Sequence, residues 1–391
     1  MRTNVALFLA GFATFSLIYC TQPLLPEFST DFGVDPASSS LALSLTTGCL
    51  AISILCMGAM SEVWGRRGLM FFSMSGAAIL NLLCAAAPTW ELLLIIRALE
   101  GFVLGGVPAV AMAYLSEEVP PARLSRAMGV YVGGTALGGM MGRVAIGALT
   151  HLSSWRTALA GMAVIDLVVA IGFVFLLPPS RNFVRRKTNG LRIHLDAWRG
   201  HIRDRQLPWV FVTGFLTMGT FVTIYNYAGY RLLAPPYDLN QTQVGLIFFA
   251  YIFGTITSPM AGILADRFGR APVVMAGAMI TILGLLCTLA EPLWAVIVGI
   301  IVITIGFFFV HPVASGWIGF LANRDRSHAA SLYLLSYYAG SSILGSLGGW
   351  FWHVAGWAGV VGFCSVLILS VLGIALHLRH RQANVTKHGL G

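Results

Sequence analysis

The chain has 391 residues, 57% of them hydrophobic and 10% charged, with 24 Lys and Arg against 15 Asp and Glu for a net charge of +9. A soluble chain carries about 25% charge, and disordered chains, coiled coils and disulfide scaffolds likewise never combine so much apolar residue with so little charge. The composition, with a mean hydropathy of +0.81, leaves lipid as the main solvent.

In chain order, charge-free windows run over 3–26, 36–61 and 68–90. Each holds one span of about 20 residues. Segments 90–115, 127–150 and 155–177 read as three further spans with charge inside: Arg97 and Glu100, then Arg143, then Asp166. A basic stretch at 179–207 reads as a linker with a short surface helix. Windows 206–230, 239–265, 271–290 and 292–323 follow, and 327–378 holds two spans broken near Gly348, Gly349 and Gly356. Continuous apolar runs without alternation argue against strands. The expectation is an all-α membrane protein of twelve transmembrane helices in two six-helix halves, 1–178 and 208–378, joined by the 179–207 linker and followed by a 379–391 tail.

With both termini in the cytosol, 20 of the 24 basic residues fall on the cytosolic side, Arg156 and Arg231 fall opposite, and Arg97 and Arg143 lie inside spans. The positive-inside rule therefore predicts cytosolic termini. The net charge reads as a topology signal, and no nucleic-acid partner is expected. The first apolar run ends at Gln22-Pro23-Leu24-Leu25-Pro26 without a small-residue cleavage site, so it reads as a retained helix. All six cysteines lie in apolar runs without CxxC spacing, so they read as buried small hydrophobes, and no metal site is expected.

Gly58-Ala-Met-Ser-Glu62-Val-Trp-Gly65-Arg66-Arg67 after the second span and Gly262-Ile-Leu-Ala-Asp266-Arg267-Phe-Gly269-Arg270 after the eighth align at a constant offset of 204 residues. Duplicated halves are a transporter architecture. The second copy resembles the loop signature of the major facilitator superfamily. The first departs from that signature at Met60, Glu62 and Val63. Arg97-Ala-Leu-Glu100-Gly101 resembles that superfamily's Arg-x-x-Gln-Gly motif, with Glu for Gln. Gly134-x-x-x-Gly138-Gly139-x-x-Gly142-Arg143 resembles its antiporter motif, with Gly139 for Pro and Arg143 for the last Gly. With Tyr19-x-x-Gln22-Pro23, these place the chain near the twelve-helix drug:proton antiporters. The resemblance implies that the duplicated loops, with Gly58, Glu62, Gly65, Arg66, Gly262, Asp266, Arg267, Gly269 and Arg270, latch the halves during switching. The residues alone also fit an ordinary positive-inside turn.

Charge inside a span costs about 2.5–3.5 kcal/mol on insertion scales, so it needs a partner or a role. Arg97 and Glu100, at i and i+3, can neutralise one another, and Arg143 and Asp166 lie at similar depths. Burial and a neighbouring arginine act on a carboxylate's proton affinity in opposite senses, which suits Glu100 or Asp166 to proton coupling. A structural ion pair is the alternative. On the first span Phe8, Phe12, Phe15, Tyr19 and Gln22 share a face. Tyr225, Asn226, Tyr227, His311, Tyr333 and Tyr337 add polar and aromatic groups on the seventh, tenth and eleventh. The resemblance places spans one, four, seven and ten around the cavity, which turns a packing stripe into a candidate lining for amphipathic or cationic molecules. The Gly134 to Gly142 run reads as a site of close helix packing.

The chain contains no phosphate-binding loop, HExxH or Gly-x-Ser-x-Gly, so an enzyme or ATP-driven pump is not expected. The reading is a monomeric secondary transporter of the bacterial inner membrane, without cofactor, driven by the proton gradient and exporting a small organic compound. A metabolite symporter or facilitator, a channel and a non-transporting scaffold are the alternatives.

Overall fold

A computed structural model describes residues 2–180, 191–322 and 324–388, and among them there is no strand. The α-helices are α1 (Arg2–Tyr19), α2 (Leu25–Phe32), α3 (Pro36–Trp64), α4 (Arg66–Ala85), α5 (Trp90–Leu104), α6 (Gly106–Glu118), α7 (Pro121–Leu152), α8 (Trp155–Leu176), α9 (Leu191–Ile202), α10 (Leu207–Leu233), α11 (Gln241–Leu246), α12 (Ala250–Phe268), α13 (Arg270–Cys287), α14 (Leu293–Leu321) and α15 (Arg326–His388). Among the described residues, eleven helical segments are long and apolar enough to cross a membrane, the last covering Arg326–Arg381. That last segment is two spans, because Ala355 and Gly356 leave helical geometry, Gly356 with φ 56°. Gly348 and Gly349, also candidates for the break, stay helical, and Gly348 packs against Thr223 and Tyr227. Twelve spans result.

Helix α5 shows what the solvent is. Leu92, Ile95, Leu99 and Phe102 recur at helical spacing and are exposed, while Arg97 and Glu100 are fully buried. An apolar outer face over a charged inner one inverts the water-soluble pattern and satisfies a bilayer.

Helix ends follow local chemistry. The Asp35 carboxylate caps α3, accepting from the backbone N–H of Ala37 at 2.9 Å and of Ser38 at 3.0 Å, with Pro36 in the first turn. Gly65 between α3 and α4 has φ 86° and ψ 151°, and Gly269 between α12 and α13 has φ 90° and ψ 158°. Only glycine adopts that region readily, so the 204-residue repeat is visible in the backbone as well as in the sequence.

The chain divides into two compact units. One comprises residues 1–190 with 229–248, the other 191–228 with 249–391. The division differs from the chain-order halves at 229–248, for a local reason. Tyr230 donates to the Leu25 carbonyl at 2.8 Å and lies 2.7 Å from the Ser29 hydroxyl, and the Gln241 amide donates to Glu27 at 2.9 Å. In the first unit α1 lies on α7 with glycines at the contact. A Cβ on Gly134 would meet the Phe8 carbonyl oxygen, one on Gly138 that of Phe12, and one on Gly142 the Ser16 Cα at 2.8 Å. In the second, Trp317, Val313, Val310, Val274, Ala278 and Phe211 build one core.

Candidate transport site

The first unit buries a polar cluster in its apolar interior. Arg97 Nη1 donates to Glu100 Oε2 at 2.6 Å, both side chains fully buried. The guanidinium also donates to the carbonyls of Ala42 and Ile18, each at 3.2 Å, and to the Thr21 hydroxyl at 3.3 Å. This satisfies a planar, multi-donor cation that cannot shed its proton. Glu100 is less satisfied, because its Oε1 is buried with no hydrogen-bond partner among the described residues. Gly101 makes the geometry possible by letting α5 approach Thr46 of α3, whose hydroxyl donates to the Arg97 carbonyl at 3.1 Å.

Arg143 is buried at the end of the α1–α7 glycine contact, directly after Gly142. Its Nε donates to Gln22 Oε1 at 2.6 Å and its Nη1 to the Gly139 carbonyl at 2.5 Å. The guanidinium stands 4.0 Å from the Tyr19 ring centroid and 5.1 Å from that of Phe248. Tyr19, Gln22 and Arg143 therefore form one group. Asp166 does not join it. It lies within hydrogen-bond distance of the Ser16 hydroxyl, because α1 presents Ser16 to α8 at that level. Asn81 crosses between helices, donating to the Leu159 carbonyl at 3.0 Å.

The second unit holds an aromatic cluster around His311. Its Nδ1 lies 3.0 Å from the Tyr333 hydroxyl, and its ring stacks on Phe307 at 5.5 Å and on Tyr333 at 5.9 Å. Tyr337 lies 4.5 Å from the His311 ring, and Phe307 stacks on Phe221 at 3.9 Å. The Tyr225 hydroxyl is 2.8 Å from that of Thr304, Asn226 donates to the Gly345 carbonyl at 3.5 Å, and Tyr227 to the same carbonyl at 3.2 Å.

The duplicated loops differ in their contacts. Arg66 forms a two-pronged pair with Glu117, Nη2 to Oε1 at 2.7 Å and Nε to Oε2 at 3.2 Å, and also donates to the Ser61 hydroxyl. In the second copy Arg270 stacks over Phe320 at 4.3 Å and Arg267 over Phe268 at 5.2 Å, while Asp266 is exposed. Gly58 and Gly262 face open space. The Glu62 side chain lies outside the described residues.

Ser16, Thr21, Glu117, Phe248 and Phe307 escape sequence reasoning. Phe307 alone carried a local signal, its i, i+4 spacing from His311.

The Major Facilitator Superfamily profile matches residues 7–233 and 219–389. The chain belongs to the major facilitator superfamily. It is 45% identical over 385 residues to the inner membrane transport protein YnfM of Escherichia coli (strain K12), covering 97% of this chain and 91% of that one. It is 42% identical over 377 residues to the uncharacterized MFS-type transporter YybF of Bacillus subtilis (strain 168), covering 96% and 93%. Among solved structures, a variant of the nucleoside transporter NupG superposes with a TM-score of 0.81 over 95% of this chain and 99% of that one, at 15% identity. A bacterial homolog of the human lysosomal transporter Spinster, inward-facing and occupied, gives 0.74 over 97% and 94%, at 14% identity. This superfamily member is thus a multi-pass membrane transporter with the superfamily's fold.

Proposed function

We propose that this transporter is a proton-coupled antiporter that exports amphipathic or cationic organic compounds by alternating access. The observation that carries the reading is the fully buried Arg97–Glu100 pair with one carboxylate oxygen unpartnered among the described residues. A neutral pair is tolerated in the bilayer, whereas either charge alone is costly. A proton arriving on Glu100 unbalances Arg97, and a proton leaving restores the pair. The two protonation states therefore favour different surroundings, which is what coupling requires. One charge crossing 100 mV supplies roughly 2.3 kcal/mol.

The substrate class follows from the aromatic cluster of the second unit. Faces of Phe307, Tyr333 and Tyr337 suit a cation or a flat apolar body, and His311 and Asn226 supply sparse hydrogen bonding. Arg143, held by Tyr19 and Gln22, is the buried polar group of the first unit. The loops with Gly58, Glu62, Gly65 and Arg66 and with Gly262, Asp266, Arg267, Gly269 and Arg270 act as latches, supported in the first copy by the Arg66–Glu117 pair. The protein works as a monomer in a bacterial inner membrane with cytosolic termini and no cofactor.

Purified protein in proteoliposomes under an imposed pH gradient, screened with cationic dyes and metabolites, tests this reading. Dye-driven proton movement, lost in Glu100→Gln, is the expected result. Saturable metabolite flux indifferent to the gradient would replace the antiporter with a facilitator.

A further inference from the structure

Asp166 is fully buried on α8, and its partner is the Ser16 hydroxyl, 3.3 Å from Oδ1 and 3.1 Å from Oδ2. The same hydroxyl lies 2.8 Å from the Ala13 carbonyl of its own helix. A serine has one hydroxyl hydrogen, so it cannot donate to both. Were Asp166 ionised, Ser16 would have to turn away from the nearer carbonyl, and a buried carboxylate would rest on a single neutral hydrogen bond. Were Asp166 protonated, its O–H would donate to Ser16 Oγ while Ser16 went on donating to Ala13. Every hydrogen of this pair then has an acceptor, and neither Asp166 oxygen carries a charge.

The charge count agrees. The titratable groups that act on Asp166 are Cys20, just past the end of α1, and Glu100 of the Arg97–Glu100 pair on α5. Arg97 is 2.6 Å from Glu100 and neutralises it. No salt bridge reaches Asp166 among the described residues, so an ionised Asp166 would be an uncompensated charge in an apolar interior.

We propose that Asp166 is a neutral carboxylic acid in this structure and a second proton site of the transporter, with Ser16 as the residue that positions its O–H. The proposal rests on the proton-coupled reading only for the use made of the proton. On release the proton passes from the carboxyl to water, and the Ser16 hydroxyl rotates from Ala13 onto the carboxylate; on uptake both steps reverse.

Infrared spectroscopy of the purified full chain at neutral pH tests the protonation state without any transport. The expected result is a protonated-carboxyl C=O band that shifts in D2O, is lost in Asp166→Asn and survives in Glu100→Gln. Ser16→Ala should move the band and Ser16→Thr should return it, which a merely structural serine would not do. Spectra of the parent and Asp166→Asn that coincide in this region would overturn the proposal. Should Asp166→Asn fail to fold, an unmoved band in Ser16→Ala would overturn it equally. Loss of proton-coupled export with these bands intact would instead refute the antiporter reading and leave the neutral acid standing.

Discussion

At the scale of single residues, the Arg97–Glu100 pair and the Asp35 cap carry separable predictions. Removing one member of the pair leaves an uncompensated buried charge, so Arg97→Met or Glu100→Ala should cost about 3–5 kcal/mol. The double variant Arg97→Met with Glu100→Met should recover most of that stability while abolishing proton coupling. Thermal unfolding in detergent, compared with flux, separates the two effects. At Asp35, the Ser38 hydroxyl, with the backbone N–H groups of Ser38 and Ala37, holds the carboxyl below the usual carboxylate range. A depressed native value means that its contribution is complete above the unfolded value of about 3.9 and is lost as pH falls through the native one. Asp35→Ala should remove about 1 kcal/mol at neutral pH, and Asp35→Asn should keep the cap without its acid sensitivity. The i, i+3 spacing made Arg97 and Glu100 readable as a pair. The partners of Arg97 were not readable, because Ala42, Ile18 and Thr21 come from other parts of the chain and have no local pattern that marks them.

At the scale of elements, glycine position decides which helices touch. A Cβ on Gly138 would run into Phe12 backbone, with Cα only 2.6 Å away, whereas Gly133 on the same helix faces open space. Gly138→Ala should therefore cost about 1–3 kcal/mol by forcing α1 from α7, and Gly133→Ala should be neutral or slightly stabilising. Melting curves of the two variants, identical in chemistry, test the packing directly. Because Arg143 lies at the end of this contact, Gly138→Ala should also disturb the Arg143–Gln22 hydrogen bond and lower transport more than its stability loss explains. The glycine run announced close packing in the sequence. Its partner helix did not, since a row of small residues specifies closeness and leaves the neighbour open.

At the scale of the whole molecule, the duplicated loops are the testable moving parts. If the Arg66–Glu117 pair stabilises one conformation, Glu117→Gln should change the rate of exchange between substrate on the two sides of a membrane. A net pair worth roughly 0.2–1 kcal/mol at a part-exposed site predicts at most a several-fold change. Counterflow in proteoliposomes measures it, and an unchanged exchange rate would remove this pair from the switching machinery. Asp266 is exposed in the second copy, and Arg270 rests on Phe320. The two loops are therefore expected to respond unequally, with Asp266→Asn acting through a conformation in which that carboxylate gains a partner.

Composition and the placement of charge-free windows determined on their own that this chain spans a membrane about twelve times. Hydrophobic runs of span length admit one economical answer when backbone groups must be satisfied inside lipid. The 204-residue repeat determined the duplicated architecture, since both copies need a glycine at a backbone angle that other residues avoid. Only the tertiary structure decided which buried charges meet. Arg97 pairs along its own helix, whereas Arg143 finds Gln22 and Asp166 finds Ser16 across helices, at distances set by side-chain packing. The seat of 229–248 on the first unit was likewise beyond a linear reading. Its hydrogen bonds to Leu25, Ser29 and Glu27 join residues some 200 positions apart, and nothing in local propensity encodes such a pairing.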